Sequence, residues 1–263
     1  MANEEASDGL TLAECAEVFA EGFGATRSLT YPFPARRVAP RAFLLADAPP
    51  LEAISRRYTR RPELIAWDVT PDAATEIAAG ASLGSRYFLC LMVEPVERET
   101  EAIAAFKAAG YRLQRREPHF VLPVVRRLGE IGDECPLRRV VDARDAEAVA
   151  KAAGARQILP RDLGGGAEAS DVRLYAAFDG DSPVGWVRSI RTRPDRSWVA
   201  NLFVLPEYRG RGVGRSLMRR MLDGDAEAGI RHSVLLASQA GSRLYPHLGY
   251  QRRGTCLVLC PKK

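Results

Sequence analysis

The chain of 263 residues lacks several features that would decide its class at once. It has no uninterrupted apolar stretch near the ~18–20 residues a membrane span needs, because Arg or Asp breaks every candidate run. It has five cysteines, Cys15, Cys90, Cys135, Cys256 and Cys260, an odd number with no CxxC pair, which argues against a disulfide framework. Its three histidines, His119, His232 and His247, share no metal-ligand spacing, so no metal is expected. The N-terminal MANEEASDGL has neither a basic segment nor an apolar one, so a secretory signal is not read there and a cytoplasmic location is the expectation. Basic residues exceed acidic ones by a net charge of +5, but they are scattered as Arg pairs, with no concentrated basic face interleaved with aromatics. Neither a nucleic-acid partner nor a membrane partner is expected. What remains is 46% hydrophobic and 27% charged, the profile of a globular chain with a substantial core, long enough for two units.

A break falls at RRLGEIGDECPLR, residues 126–138, where charge, Gly and Pro interrupt the apolar pattern. Beyond it the pattern reads strand, helix (capped by Asp142 or Asp145), a Gly-rich helix or loop, three strands ending in SWVANLFVLP, a helix from RGRGVGRSLM, the strand IRHSVLLA, a helix over SQAGSRLYPHLG and a last strand or hairpin. Before it, TLAECAEVFAEGF reads as an amphipathic helix, SLTYPFPARRVAP as a loop, and ELIAWDV and RYFLCLMV as strands around the helical TPDAATEIAAG. A helix and a hairpin close that half. Both halves end alike, AFKAAGYRLQRREPHFVLPV against RLYPHLGYQRRGTCLVLC, an internal repeat at domain period.

The segment that carries chemistry is VANLFVLPEYRGRGVGRSLM. A strand leads through a Pro turn into Gly-rich backbone from which a helix opens, so successive N–H groups and the positive end of the helix dipole converge on an anion. Gly210, Gly212 and Gly214 admit phosphate oxygens close to the backbone. A GxxxxGK[ST] loop is excluded by Arg209 and Arg215, and a GxGxxG fingerprint by Arg215-Ser216-Leu217 after Gly212-Val213-Gly214.

The string Arg209-x-x-Gly212-x-Gly214 after PEY, followed downstream by LYPHLGY, resembles the two motifs of the GNAT superfamily of acyl-CoA-dependent N-acetyltransferases, over roughly residues 138–260. The N-terminal half resembles the family only in AFKAAGY, with Phe106 where the second motif has Tyr, and has no phosphate loop. The resemblance implies an α/β fold of two GNAT-like lobes, each a mixed, mainly antiparallel sheet flanked by helices. Residues 1–135 would be a degenerate lobe and residues 136–263 the acetyltransferase domain.

It further implies that acetyl-CoA is the cosubstrate. Its pantetheine would lie along Leu202, Phe203 and Val204, and its pyrophosphate on Arg209, Gly210, Arg211, Gly212, Val213, Gly214 and Arg215. A backbone N–H near Val204 would polarise the thioester carbonyl. Tyr245 matches the family's general acid, and Ser238 stands where many members bind CoA through Asn. Family members with a Glu base would place it near Trp198 or Ser233, which cannot serve; His232 is the substitute, with His247 as a further candidate and Asn201 able only to orient a water. The acceptor would be a primary amine of a small molecule or a protein. The alternative is a catalytically weak or inactive CoA-binding regulatory module.

Overall fold

The computed structural model describes residues 9–29, 31–48, 60–123, 125–128, 135–164 and 171–262. The acidic stretch before residue 9, most of the Gly run at 165–170 and residues 129–134 of the 126–138 break lie outside the described residues. The elements run α1 (Leu12–Arg27), β1 (Ala35–Ala39), β2 (Ala42–Leu45), β3 (Glu63–Trp67), α2 (Pro71–Gly80), β4 (Phe88–Val93), α3 (Glu99–Ala108), β5 (Tyr111–Leu122), β6 (Leu137–Arg139), α4 (Ala143–Ala153), β7 (Val172–Asp179), β8 (Ser182–Arg193), β9 (Arg196–Val204), α5 (Val213–Glu227), β10 (His232–Leu236) and β11 (Gln251–Pro261).

The α/β class with a mixed, mainly antiparallel sheet is as expected, but the sheets of the two halves are joined. One eleven-stranded sheet runs β1-β2-β3-β4-β11-β5-β10-β9-β8-β7-β6. Each half ends in a long strand that crosses to the other half: β5 pairs with β10, and β11 inserts between β4 and β5. The β5–β11 register, Tyr111 opposite Pro261 and Val121 opposite Gln251, places the two repeat endings head to tail about the centre of the sheet. The repeat extends to packing. Phe106 meets Tyr111 edge-on at 5.4 Å, and Tyr245 meets Tyr250 edge-on at 5.7 Å, each pair closing over a positive-φ glycine, Gly110 or Gly249. Exchange of β5 and β11 leaves neither half with a free inner edge, so it joins them by backbone hydrogen bonds as well as by side chains.

Several local readings change. SLTYPFPARRVAP contains a strand, β1, because Ala35–Ala39 finds a partner in β2, and β5 is a single twelve-residue strand rather than a hairpin. SQAGSRLYPHLG folds as two short 3₁₀ turns, Gly241–Arg243 and Tyr245–Leu248; Pro246 supplies no N–H to continue a helix. Among the described residues no helix is long and apolar enough to cross a membrane.

Helix α1 begins at a reciprocal cap, in which the Glu14 amide donates to Thr11 Oγ1 and the Thr11 amide donates to Glu14 Oε2. Although it belongs to the N-terminal half in sequence, it packs across β8, β9 and β10 as well as β1–β3. Its small residues allow this. A Cβ on Gly22 would stand 2.2 Å from Trp198 Cβ, while Phe19 packs on the Trp198 ring at 5.2 Å. Gly22→Ala is therefore expected to lower unfolding stability by about 1–3 kcal/mol through overpacking. Urea denaturation checks this, and an unchanged midpoint would mean that α1 does not rest on β9.

Helix α5 is pinned from beneath. The carboxylate of Asp225, fully buried, accepts from Arg173 Nη2 at 2.7 Å, Ser189 Oγ at 2.6 Å and Ser197 Oγ at 2.8 Å. Desolvation pushes its pKa up, and the Arg173 guanidinium opposes that shift. The helix is thereby tied to β7, β8 and β9, which fixes the loop that precedes it.

Candidate functional site

Strands β9 and β10 run parallel but pair only over Arg196–Trp198 with His232–Val234. Beyond Trp198 they separate: Val199–Val204 keeps hydrogen bonds to β8 on one side, while Leu235 and Leu236 pair only with β5. The backbone edge of β9 that faces β10 is thus open at its C-terminal end. A bulge opposite Val187 accompanies the separation, with Asn201 in the left-handed region at φ 53°.

The open edge leads into the Gly-rich loop. Gly212 caps α5 with φ 85° and Gly210 has φ 77°, conformations that favour glycine. The amides of Gly210, Arg211, Gly212, Val213 and Gly214 make no hydrogen bond among the described residues, whereas those of Arg215 and Ser216 return to the Gly212 carbonyl. No acidic residue stands in the first turn of α5. A cleft of about 530 Å³ lies over these amides, lined by Val204, Tyr208, the loop, Arg215, Ala240, Leu244 and His247. Five unbonded N–H groups, a helix N-terminus and arginine side chains make it an anion cradle.

Neighbouring side chains are arranged around this cleft. Phe203 is exposed and stacks on Trp186 at 5.0 Å. Leu202 and Val204 are half-buried against the core beneath α5. Arg209 donates from Nε to the Val204 carbonyl at 3.0 Å, and Arg211 lies over the Tyr208 ring. Tyr208 Oη donates to Asp179 Oδ2 at 2.6 Å, fastening the PEY turn. Tyr245 is 7% exposed, wedged between Phe120 and Tyr250, and its hydroxyl donates to no described residue. Burial pushes its phenol up to about 12. Ser238 follows β10 directly and accepts from the Gly241 amide at 3.1 Å; a Cβ on Gly241 would touch Ser238 Oγ at 3.1 Å and Tyr245 Oη at 4.0 Å. The structure therefore brings Leu202–Val204, the 209–215 loop, Ser238 and Tyr245 to one end of the sheet.

It does not bring His232 there. That residue opens β10, with its amide on the Asp195 carbonyl at 2.9 Å and Nδ1 3.9 Å from Asp195 Oδ2. Four residues of strand, about 13 Å, separate it from Leu236 at the open end. The role of base drawn for His232 from its neighbourhood in sequence gains no support from this placement. Trp198 and Ser233 are buried, the latter bonded to Tyr250 Oη at 2.8 Å, and His247 is exposed on the cleft rim. Among the described residues no group of three His, Cys, Asp or Glu side chains is placed to hold a metal.

Among the described residues the N-terminal half has none of this equipment. β3 pairs with β4 along its whole length, Glu63–Trp67 against Phe88–Met92, with no separation. Helix α2 follows after three residues, and its N-terminus is closed: Thr70 Oγ1 accepts the Ala73 amide, Pro71 has no N–H, and Asp72 sits in the first turn.

Two residues were not singled out as binding groups in the sequence. Arg188 and Gln157 lie with Asn201 around a second cavity of about 630 Å³ on the α1 side of the sheet. The signal for Arg188 was present, a charge at a core position of the alternation Val184-Trp186-Arg188-Ile190.

Residues 170–252 match the family model described as the acetyltransferase (GNAT) domain. Among solved structures the chain is similar to a GCN5-related N-acetyltransferase from Kribbella flavida (17% identity, TM-score 0.64, covering 97% of each chain). It also resembles a GCN5-related N-acetyltransferase from Sphaerobacter thermophilus (14%, 0.51, 95% of this chain and 93% of that one). A conserved protein of unknown function from Staphylococcus epidermidis is similar as well (14%, 0.55, 90% and 97%). At these identities the likeness establishes the fold. A search among curated proteins finds no match.

Proposed function

Because residues 170–252 match the model of the acetyltransferase (GNAT) domain, we propose that the chain transfers an acetyl group from acetyl-CoA to a primary amine, with a single CoA site in residues 136–263. The observation that carries this reading is the coincidence of two features at one end of the sheet: the open edge of Val199–Val204 and the five unbonded amides of Gly210–Gly214. Pantetheine, an extended chain with two amides, lies along that edge as an added strand. The pyrophosphate sits on the loop amides, with Arg209, Arg211 and Arg215 close enough in sequence to add charge. The thioester then falls between β9 and β10, where a free β9 amide polarises its carbonyl. The amine nitrogen attacks that carbon; the C–N bond forms, the C–S bond breaks, the amine releases its proton to solvent, and Tyr245 gives its own to the departing sulfur and is reprotonated from solvent. Rate enhancement comes from holding the two reactants together and from oxyanion stabilisation.

Residues 1–135 are, in this reading, a degenerate GNAT-like unit that has kept the closing helix and strand of the fold and lost the cofactor site. The unsplayed β3–β4 pair and the self-capped α2 support that. Calorimetry of the full chain with CoA is the test. One equivalent is expected to bind, and binding of two equivalents or none would overturn the assignment.

Among the described residues that line the two cavities there is no carboxylate, which favours a second reading, a CoA-binding module without turnover. Release of free thiol from acetyl-CoA in the presence of amines separates the two.

A further inference from the structure

The cavity on the α1 side of the sheet contains an unusual cation. Arg188, on β8, is 1% exposed. Its Nη1 donates to the Gln157 carbonyl at 3.2 Å, but its Nε and Nη2 are buried without a partner, and no carboxylate among the described residues pairs with it. Two other arginines of the lining are paired: the exposed Arg27 with Glu63 at 3.0 Å and the partly buried Arg60 with Asp47 at 2.8 Å. Desolvation lowers the pKa of Arg188 to about 10, which still leaves it cationic at neutral pH. A buried charge with two idle donors is costly to the fold and gives it nothing in return. Nε and Nη2 form one edge of the guanidinium, the edge that holds both oxygens of a carboxylate in parallel hydrogen bonds.

The position of this edge relates it to the acetyl donor. Arg188 is opposite Ala200 on β9, one residue before Asn201 at the bulge where β9 leaves β10. Asn201 Nδ2 donates to Gln157 Oε1 at 3.2 Å, and the Gln157 carbonyl accepts from Arg188, so one buried residue ties the two together. The cavity therefore reaches β9 at Asn201, on the same open stretch of strand whose Val204 lines the cleft over the Gly-rich loop.

We propose that this cavity is the acceptor site and that Arg188 receives a carboxylate of the acceptor through Nε and Nη2, which makes the substrate class amines that carry a carboxylate, such as amino acids. The proposal rests on the acetyl-transfer reading above. Phe23, Leu29 and Tyr31 supply apolar surface for the remainder of the molecule. Among the described lining residues there is no carboxylate to stabilise an ammonium group, so the neutral amine that can attack is the form these residues favour.

The test uses the full chain, acetyl-CoA and matched pairs, phenylalanine with phenylalaninamide and glutamate with its α-amide, followed by thiol release. The acids are expected to exceed the amides by roughly 10²-fold in kcat/KM. Arg188→Met should bring that ratio close to one while CoA affinity stays at the native value. Because it removes an uncompensated buried charge, this variant is expected to melt at or above the native temperature. A readout on the native chain does not depend on the variant: with CoA present, N-acetylphenylalanine should raise the melting temperature saturably and its amide should not. Equal kcat/KM for acids and amides, or equal thermal shifts, would overturn the carboxylate site and leave acetyl transfer standing. Absence of both CoA binding and thiol release would overturn the parent reading instead, and the acid-specific thermal shift would then decide on Arg188 alone.

Discussion

Tyr245→Phe should lower kcat by roughly 10²–10⁴-fold and leave CoA affinity within a factor of a few. The ring is what the fold uses: it packs on Phe120 at 5.6 Å and on Tyr250 at 5.7 Å, and Phe retains both contacts. The hydroxyl donates to no described residue, so its removal leaves no partner stranded and little stability is at stake. Its proton is therefore available to the departing thiolate. Burial raises the phenol to about 12, above the ~8.5 of an ordinary thiol, which taken alone would disfavour the transfer. The departing sulfur is desolvated by the same pocket, and desolvation raises its proton affinity in the same sense, so the two remain matched. The sign for pH follows. The protonated phenol is the active form and persists below about 12, so no alkaline fall in kcat between pH 8 and 10 should trace to Tyr245. An alkaline limb near pH 9 that vanishes in Tyr245→Phe would contradict this, and a variant with native kcat would remove Tyr245 from the mechanism.

The Gly-rich loop and the placing of Tyr245 beside it were legible in the sequence because both are local. Positive-φ glycines, a missing acidic first turn and a following amphipathic helix are all encoded within a dozen residues of Arg209, and LYPHLGY carries the second motif in seven. The repeat was legible for the same reason: Gly110-Tyr111 and Gly249-Tyr250 each close a ring pair with a residue five positions earlier. The rest depends on contacts far apart in the chain. Nothing near residue 111 announces that β5 will pair with β10, because an alternating strand states which faces it buries and not whose edge it joins. Helix α1 was read correctly as amphipathic, but its place over Trp198 depends on a gap that only Gly22 and the opposing ring define together. The place of His232 in the sheet was not legible for the converse reason. A strand of five residues extends about 16 Å, so a position next to a motif in sequence can stand at the opposite end of the sheet. Arg188 was visible as a misplaced charge, yet its isolation becomes apparent only in the fold, where the nearby Glu63 and Asp47 are engaged by Arg27 and Arg60.

Gly212→Glu should weaken CoA binding by about 10³-fold or more while the chain stays folded. Three terms decide this. The first is conformational: a non-glycine residue at φ 85° is strained by roughly 1–2 kcal/mol, a modest fraction of the stability of a domain. The second is steric, and here it is permissive, because a Cβ built on Gly212 meets nothing within 4 Å. The added side chain projects into the open cleft and no core contact is broken. The third is electrostatic and controls binding. A carboxylate at the N-terminus of α5 is attracted to the same amides of Val213 and Gly214 that the pyrophosphate needs, so it occupies the cradle as an internal anion and repels the phosphates that approach it. By capping the helix it also returns part of the strain, which is why loss of binding and loss of fold are expected to separate. Gly212→Ala is the control, since it carries the same backbone strain without the charge, and its CoA affinity should fall no more than about tenfold. Calorimetry on both variants, with melting curves alongside, reads the difference. If Gly212→Glu binds CoA as the native chain does, the pyrophosphate does not lie on this loop. If Gly212→Ala loses as much affinity as Gly212→Glu, the cradle depends on glycine's conformation and not on the vacant charge site at the helix end.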